Sequence, residues 1–429
     1  MTPHRTPWVD ARTQLERVVL PFWLEHGVDG DRGGFFTCFD NRGRTRVSTD
    51  KFTWSQGRFV WLLARAAELA RRGLVEGDEG TLLDLAARGA QFLLDHAVLP
   101  DGTTRFVVGR DGGRPESRDQ PARSVYADWF VVMGLAELAR QTGESRWLTA
   151  ARPVLERSRA DHLAGTAPTP PYAVPAGHVA FGPRMILTNT LLVVAQAAES
   201  LGQDRHTLDW LAEAVEAMLA HRLPDGTFSE MPGPDARSLV SRHRVPGHTI
   251  EGIWVALESL DLLGDDRSRD PLLVSLDASC RLGWDPVHGG LLRYADTDGP
   301  HAPTGTTAGT PYEELVRTTW STKLWWVHSE ASAATAIAAH RYGRRSAGEW
   351  FERIWDYTLR TFPGGADGAE WVQIRNRRGE PLDQVVALPV KDPFHVTRNL
   401  MQILELGATD LPVSAAAPPS RAGRGHRRA

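Results

Sequence analysis

The sequence predicts an all-α fold: an (α/α)6 barrel of six helical hairpins closed into a toroid, with short β-hairpin loops at its mouth. Three observations predict it. Helical periodicity runs through most of the chain, a glycine-led polar and aromatic motif recurs between the helices, and polar and tryptophan residues gather at helix starts.

The N-terminal stretch places Leu15, Val18, Val19, Phe22 and Trp23 at amphipathic-helix spacing. Further amphipathic segments follow at 58–72, 82–98, 127–143, 184–202 and 207–223, then at 248–264, 270–284, 323–343 and 347–362. A last helical segment opens in "DPFHVTRNLM".

Between the helices stand "GGFFTCFDNRGR" at 33, "PDGTTRFVVGRDGG" at 100, "PDGTFSEMPG" at 224, "GGLLRYADTDG" at 289 and "GAEWVQIRNRRG" at 368. Each is a glycine, a short apolar stretch and a polar turn, which suits a small hairpin. The glycines at 34, 102, 226, 290 and 368 are 68, 124, 64 and 78 residues apart. The long step is about two periods, so one degenerate copy is expected near the Pro-rich segment 165–178, making six units. Closure is preferred to an open solenoid because the inner-helix starts then share one funnel.

The chain has 429 residues and a formal net charge of −4, so it presents no basic field for nucleic acid. Cys38 and Cys280 alone build neither a disulfide framework nor a thiolate metal site, and a cytoplasmic location is expected. No signal core and no membrane span is legible. The reading is one catalytic barrel domain over 1–411 and a disordered basic tail over 412–429. The chain's only lysines, Lys51, Lys323 and Lys391, all fall in aromatic-rich segments, where an ammonium differs from a guanidinium either by function or by chance.

In "VPGHTIEGIW", His248 follows Pro246 and Gly247 and falls in a first helical turn, where the dipole favours the neutral imidazole. Glu251, three residues on, shares its face and is expected to fix its tautomer. The competing reading makes Glu251 a dipole-balancing acid and His248 a solvent-facing residue. His395 opens the last helix in the same way, after Pro393 and with Arg398 three residues on. Arg58, beside Trp54 and Trp61, suits an oxyanion or sugar hydroxyls, or a helix-end salt bridge. Trp325 and Trp326, with Glu330 beyond them, form either a stacking floor or core. No His-Glu-x-x-His, calcium loop, phosphate loop or dinucleotide fingerprint occurs, so no metal and no cofactor is expected.

Taken together, "GGFFTCFDNRGR", "KFTWSQGRFVW", "SVYADWFVVMGLAELARQTG", "GPRMILTN", "GHTIEGIW", "KLWWVHSEA" and "FHVTRNLM" resemble the N-acylglucosamine 2-epimerase family, which also holds cellobiose 2-epimerases and mannose-type aldose-ketose isomerases. The resemblance spans nearly the whole chain and implies the same barrel. It makes His248 and His395 the acid/base pair, Arg58 the substrate anchor, Glu251 the partner of His248 and Trp326 part of the sugar wall. Trp54, Asn189, Glu330 and Arg398 join the expected substrate-binding set. Asn189 takes the place of an additional histidine of the isomerases and cellobiose epimerases, which leans towards the N-acylglucosamine type. Val390 stands where cellobiose epimerases carry a tryptophan. Homodimers, and ATP as an effector, are what the resemblance implies for relatives.

The expected activity is C2 epimerisation of an N-acylhexosamine through an enediolate, with one imidazole removing the C2 proton and the other returning it to the opposite face. Return of the proton to C1 instead gives an aldose-ketose isomerase. Rival readings are an (α/α)6 glycoside hydrolase using Glu251 with Glu330 or Asp128, and a non-catalytic sugar binder or regulatory partner.

Overall fold

A computed structural model of the chain describes residues 6–203, 206–365, 369–386 and 388–408; the expected tail at 412–429 and the motif glycine Gly368 lie outside the described residues. Twelve of the helices among the described residues form six pairs; the nine-residue helix Pro311–Thr319 stands outside them. The outer set comprises α1 (Pro7–Gln14), α3 (Glu79–His96), α5 (Ser145–Leu163), α7 (His206–Leu219), α9 (Arg269–Gly283) and α11 (Arg345–Thr361). The inner set comprises α2 (Thr53–Arg71), α4 (Val125–Thr142), α6 (Phe181–Ser200), α8 (Pro246–Leu263), α10 (Trp325–Tyr342) and α12 (Phe394–Ala408).

Composition sorts the two sets. In α4 every residue from Val125 to Ala139 is buried, as a helix enclosed on all sides requires, whereas α11 buries one stripe, including Ala347, Ile354, Trp355 and Tyr357. Each inner helix packs on the next, from α2 through α4, α6, α8 and α10 to α12, and α12 returns against α2. The ring is closed. Its sixth pair joins the two ends of the chain, α12 with α1, and α1 continues through wide π-type turns at Leu15–Val19 and Trp23–Gly27 around Pro21.

Helix α5 does not stand out in the sequence, because Pro153 and arginines scattered along it interrupt its apolar pattern. The loops also differ in detail from simple hairpins. Lone bridges close four of the glycine motifs (Val28 with Phe35, Val98 with Thr104, Arg222 with Phe228, Trp284 with Leu291), and loop 164–180 carries none, as the degenerate copy. The strands instead pair between successive loops: β1 (Lys51–Phe52) with β2 (Val107–Val108), β3 (His243–Arg244) with β4 (Ala295–Asp296), and β5 (Lys323–Leu324) with β6 (Ile374–Arg375).

The three lysines fasten these loops and do not enter the cavity at the mouth. Lys51 pairs with Asp29 at 3.0 Å, Lys323 with Asp285 at 3.1 Å and Lys391 with Glu370 at 2.8 Å, all buried, and each ammonium also donates to loop carbonyls. A compact three-donor group satisfies one carboxylate and two carbonyls in a space a planar guanidinium does not match.

Glycines set the closest approach of the inner helices. A Cβ at Gly57 would lie 2.2 Å from Phe130 O, and one at Gly134 would lie 2.4 Å from Gly57 O, so α2 and α4 touch backbone to backbone just beside Arg58. Among the described residues no helix is long and apolar enough to cross a membrane.

Candidate active site

The six inner helices all begin at one end of the barrel, so their N-termini converge on a cavity of about 150 Å³. Into it come Trp54 and Arg58 from α2, Tyr126 from α4, Met185 from α6, His248 and Glu251 from α8, Trp326 from α10 and His395 from α12. The preceding loops add Tyr172, Glu230, Arg293, Tyr294 and Asp392, and the helix Pro311–Thr319 adds Tyr312.

His395 is held at both ring nitrogens. Nδ1 lies 2.6 Å from Glu330 Oε1, and Nε2 lies 3.2 Å from an amino nitrogen of Arg58. A carboxylate only accepts and a guanidinium only donates. The proton is therefore on Nδ1, Nε2 carries the lone pair, and the ring is neutral. Burial pushes Glu330 up, but Arg398, His395 and Asn399 outweigh it and hold this carboxyl below the usual range, so it stays ionised.

His248 differs from the expected picture. Its Nδ1 pairs with Glu230 Oε1 at 3.0 Å, not with Glu251, whose carboxylate instead accepts from Arg398 at 2.6 Å. Both residues lie on α8 and line the cavity, but the Glu251 side chain reaches across the ring to α12. Nor does the helix dipole keep His248 neutral. Burial pulls the imidazole down, yet the charge and hydrogen bond of Glu230, with a contribution from Glu251, raise it above the ordinary histidine value. Glu230 is itself buried, and burial works to raise it, but His248 holds it below the carboxylate norm.

Trp326 links the two. Its ring centroid is 5.3 Å from that of His248 and 5.7 Å from that of His395. The close fit depends on Gly247, where a Cβ would lie 2.6 Å from Trp326 Cζ3. Arg58 sits 3.3 Å from Asp392 Oδ1 and over the rings of Phe130, Trp54 and Phe394, at 4.0, 5.0 and 4.9 Å to their centroids. Trp54 thus braces the guanidinium and lines the cavity.

Three expected substrate contacts lie elsewhere. Glu330 is fully buried behind His395, where it also accepts from Trp254 and Asn399, both at 2.8 Å. Arg398 bridges Glu251 and Glu330 at 2.6 and 2.5 Å. Asn189, four residues beyond the cavity-lining Met185 on α6, lines with Arg398 a second cavity of about 720 Å³ deeper along the inner helices. A carboxylate pair for glycoside cleavage does not form either: Arg398 ties Glu251 to Glu330, and buried Asp128 is bound to Thr104 and Arg123. Oxygen and nitrogen atoms of Glu251, Glu330 and His395 lie within 4.8 Å of one another, but the Arg398 guanidinium fills that cluster's cation position.

Sequence reasoning missed Glu230, Asp392 and Arg293. All three stood in quoted motifs, "PDGTFSEMPG", "DPFHVTRNLM" and "GGLLRYADTDG"; for Asp392, three residues before His395, a carboxylate next to a histidine-bearing helix start was the available signal.

Fold and site together define a class: an (α/α)6-barrel enzyme with a histidine-based site at the inner-helix N-termini. The sequence profile of N-acylglucosamine 2-epimerase (GlcNAc 2-epimerase) matches residues 34–397. N-acylglucosamine 2-epimerase of Mus musculus is 33% identical over 409 residues, covering 90% of this chain and 88% of its own. That of Homo sapiens is 32% identical over 413 residues, with 92% and 88% covered. In fold, the cellobiose 2-epimerase of Bacillus thermoamylovorans superposes with a TM-score of 0.74 at 18% identity, over 93% of this chain and 98% of that one. The chain belongs to the N-acylglucosamine 2-epimerase family.

Proposed function

We propose that the protein is a carbohydrate epimerase that inverts C2 of an N-acylhexosamine through an enediolate, with His395 and His248 as the two proton-transfer groups. The observation that carries this reading is the seating of two imidazoles, each engaged at Nδ1 by its own carboxylate, on the same Trp326 ring.

In the open-chain sugar, the C1 carbonyl acidifies the C2 proton. Neutral His395, with its lone pair on Nε2, accepts that proton. Arg58 beside it offers a permanent charge to the oxygen that becomes anionic. His248, favoured as the imidazolium by Glu230, donates a proton to C2 from its own side of Trp326. The stereocentre is inverted and the two histidines exchange protonation states. In the reverse direction the roles swap, which an imidazole permits because its ordinary pKa of about 6.5 lies near neutral pH. Proton return at C1 would give a ketose, so the product identifies the outcome.

Turnover of N-acetylglucosamine or N-acetylmannosamine in heavy water should place solvent deuterium at C2. His248→Asn and His395→Asn should each lower kcat by at least about a hundredfold, the lower range for positioned acid-base catalysis. Full activity in either variant would reject the two-histidine scheme.

A further inference from the structure

Most charged side chains lining the cavity have a named partner of opposite charge. Asp392 faces Arg58 at 3.3 Å, Glu230 faces His248 at 3.0 Å and Glu251 faces Arg398 at 2.6 Å. Arg293 is the exception. It is 5% exposed, lines the same cavity, and among the described residues has no carboxylate within ion-pair distance.

Its surroundings are tyrosines. The guanidinium reaches Tyr172 Oη at 3.5 Å and lies 5.0 Å from the centroid of the Tyr294 ring. The tyrosine rings of this wall sit in burial that keeps their phenols protonated, as donors. Arg244, the residue after His243 in β3, shows the contrast: among the described residues it too lacks a carboxylate, but its two amino nitrogens are taken by the carbonyls of Ser241, Arg242 and His243 and by Thr297. Arg293 has no such set of carbonyls: its side chain bonds the phenols of Tyr172 and Tyr294. A buried charge without a counterion is costly, and a guanidinium beside hydroxyl donors matches a carboxylate or phosphate in both charge and fork geometry.

We propose that Arg293, with the hydroxyl of Tyr172, forms an oxyanion subsite, and that the preferred substrate is a sugar carrying a carboxylate or phosphate away from C1 and C2. The inference rests on the epimerase reading, since it concerns another part of the molecule whose C2 meets the histidines. Arg293 comes from the loop ahead of α10 and Arg58 from α2, so the anion and the enediolate oxygen have separate cations.

The test compares N-acetylglucosamine with its 6-phosphate and with its 6-carboxylate counterpart. C2 deuterium exchange gives kcat/KM, and calorimetry on His395→Asn gives binding without turnover. The expected result is at least a tenfold preference in kcat/KM for one anionic sugar, with the preferred arm separating phosphate from carboxylate. Arg293→Gln should reduce that preference at least tenfold, and Arg293→Lys should retain part of it. Equal or better use of the neutral sugar by the native enzyme, or an unchanged preference in Arg293→Gln, overturns the proposal. If no sugar exchanges deuterium, the epimerase reading falls; binding to His395→Asn then still decides the subsite, since an anion preference that Arg293→Gln removes supports it and its absence refutes it.

Discussion

Glu230 Oε1 lies 3.0 Å from His248 Nδ1, and the contact is made between a loop ahead of α8 and the first turn of that helix. The pair determines which protonation state His248 holds at rest. Glu230→Gln removes the charge but keeps a hydrogen-bonding group, so the imidazolium loses its main support and the His248 pKa falls. When turnover starts on His395, His248 must be protonated, and rate is lost as pH rises through the His248 pKa. The alkaline limb of kcat/KM in that direction should therefore move to lower pH in Glu230→Gln. A purely structural role for Glu230 would lower the plateau and leave the limb in place.

The same pair ties stability to pH. The folded-state pKa of His248 is raised, so its contribution is fully present below the unfolded value of about 6.5 and is lost as pH climbs through the higher folded value. The native protein should thus lose a small increment of stability on going from mildly acidic to alkaline pH. In urea titrations at several pH values, His248→Asn should lack that increment.

Much of the fold is legible in the sequence because closure imposes it locally. Inner helices such as α4 are apolar all round and outer ones such as α11 are striped, and both patterns survive as periodicity. Helix α5 hides because Pro153 and its arginines blur the stripe. The site is legible only down to which residues are polar near helix starts. On one helix face, a side chain at the cavity and one a turn deeper look alike, which is why Asn189, Glu330 and Arg398 join the expected contacts although they sit behind or below the histidines. Glu230 escapes for the opposite reason: its partner is fixed by how a loop folds over α8, and spacing carries no trace of that.

Gly247 has no side chain because Trp326 occupies that space. A methyl group there would sit 2.6 Å from Trp326 Cζ3 and displace the ring on which both imidazoles rest. Gly247→Ala should cost roughly 1–3 kcal/mol of stability, as overpacking does. The activity loss should be larger than that change in folded population explains. Denaturant titration and initial rates on the same preparation separate the two effects; an unaltered kcat/KM would show that the ring's position does not matter.

Lys391 is the lysine that ties the first and last loops of the ring together. Its ammonium bonds Glu370 at 2.8 Å and the carbonyls of Asn41 and Trp371, joining the loop before α12 to the loop before α2. Both charges are buried, and Glu370 is fully so. Burial pushes the Glu370 carboxyl up against the pull of Lys391. Lys391→Met keeps the aliphatic stem but strands that carboxylate, and removing one member of a buried pair costs about 3–5 kcal/mol. The double variant Lys391→Met with Glu370→Gln should recover part of the loss, because the stranded charge is gone. Lys391→Arg should also destabilise, since a planar five-donor group must replace a compact one among fixed carbonyls. Unfolding midpoints across these three variants check the order. A midpoint for Lys391→Met equal to the native value would mean that the loops are held by their backbone pairing alone.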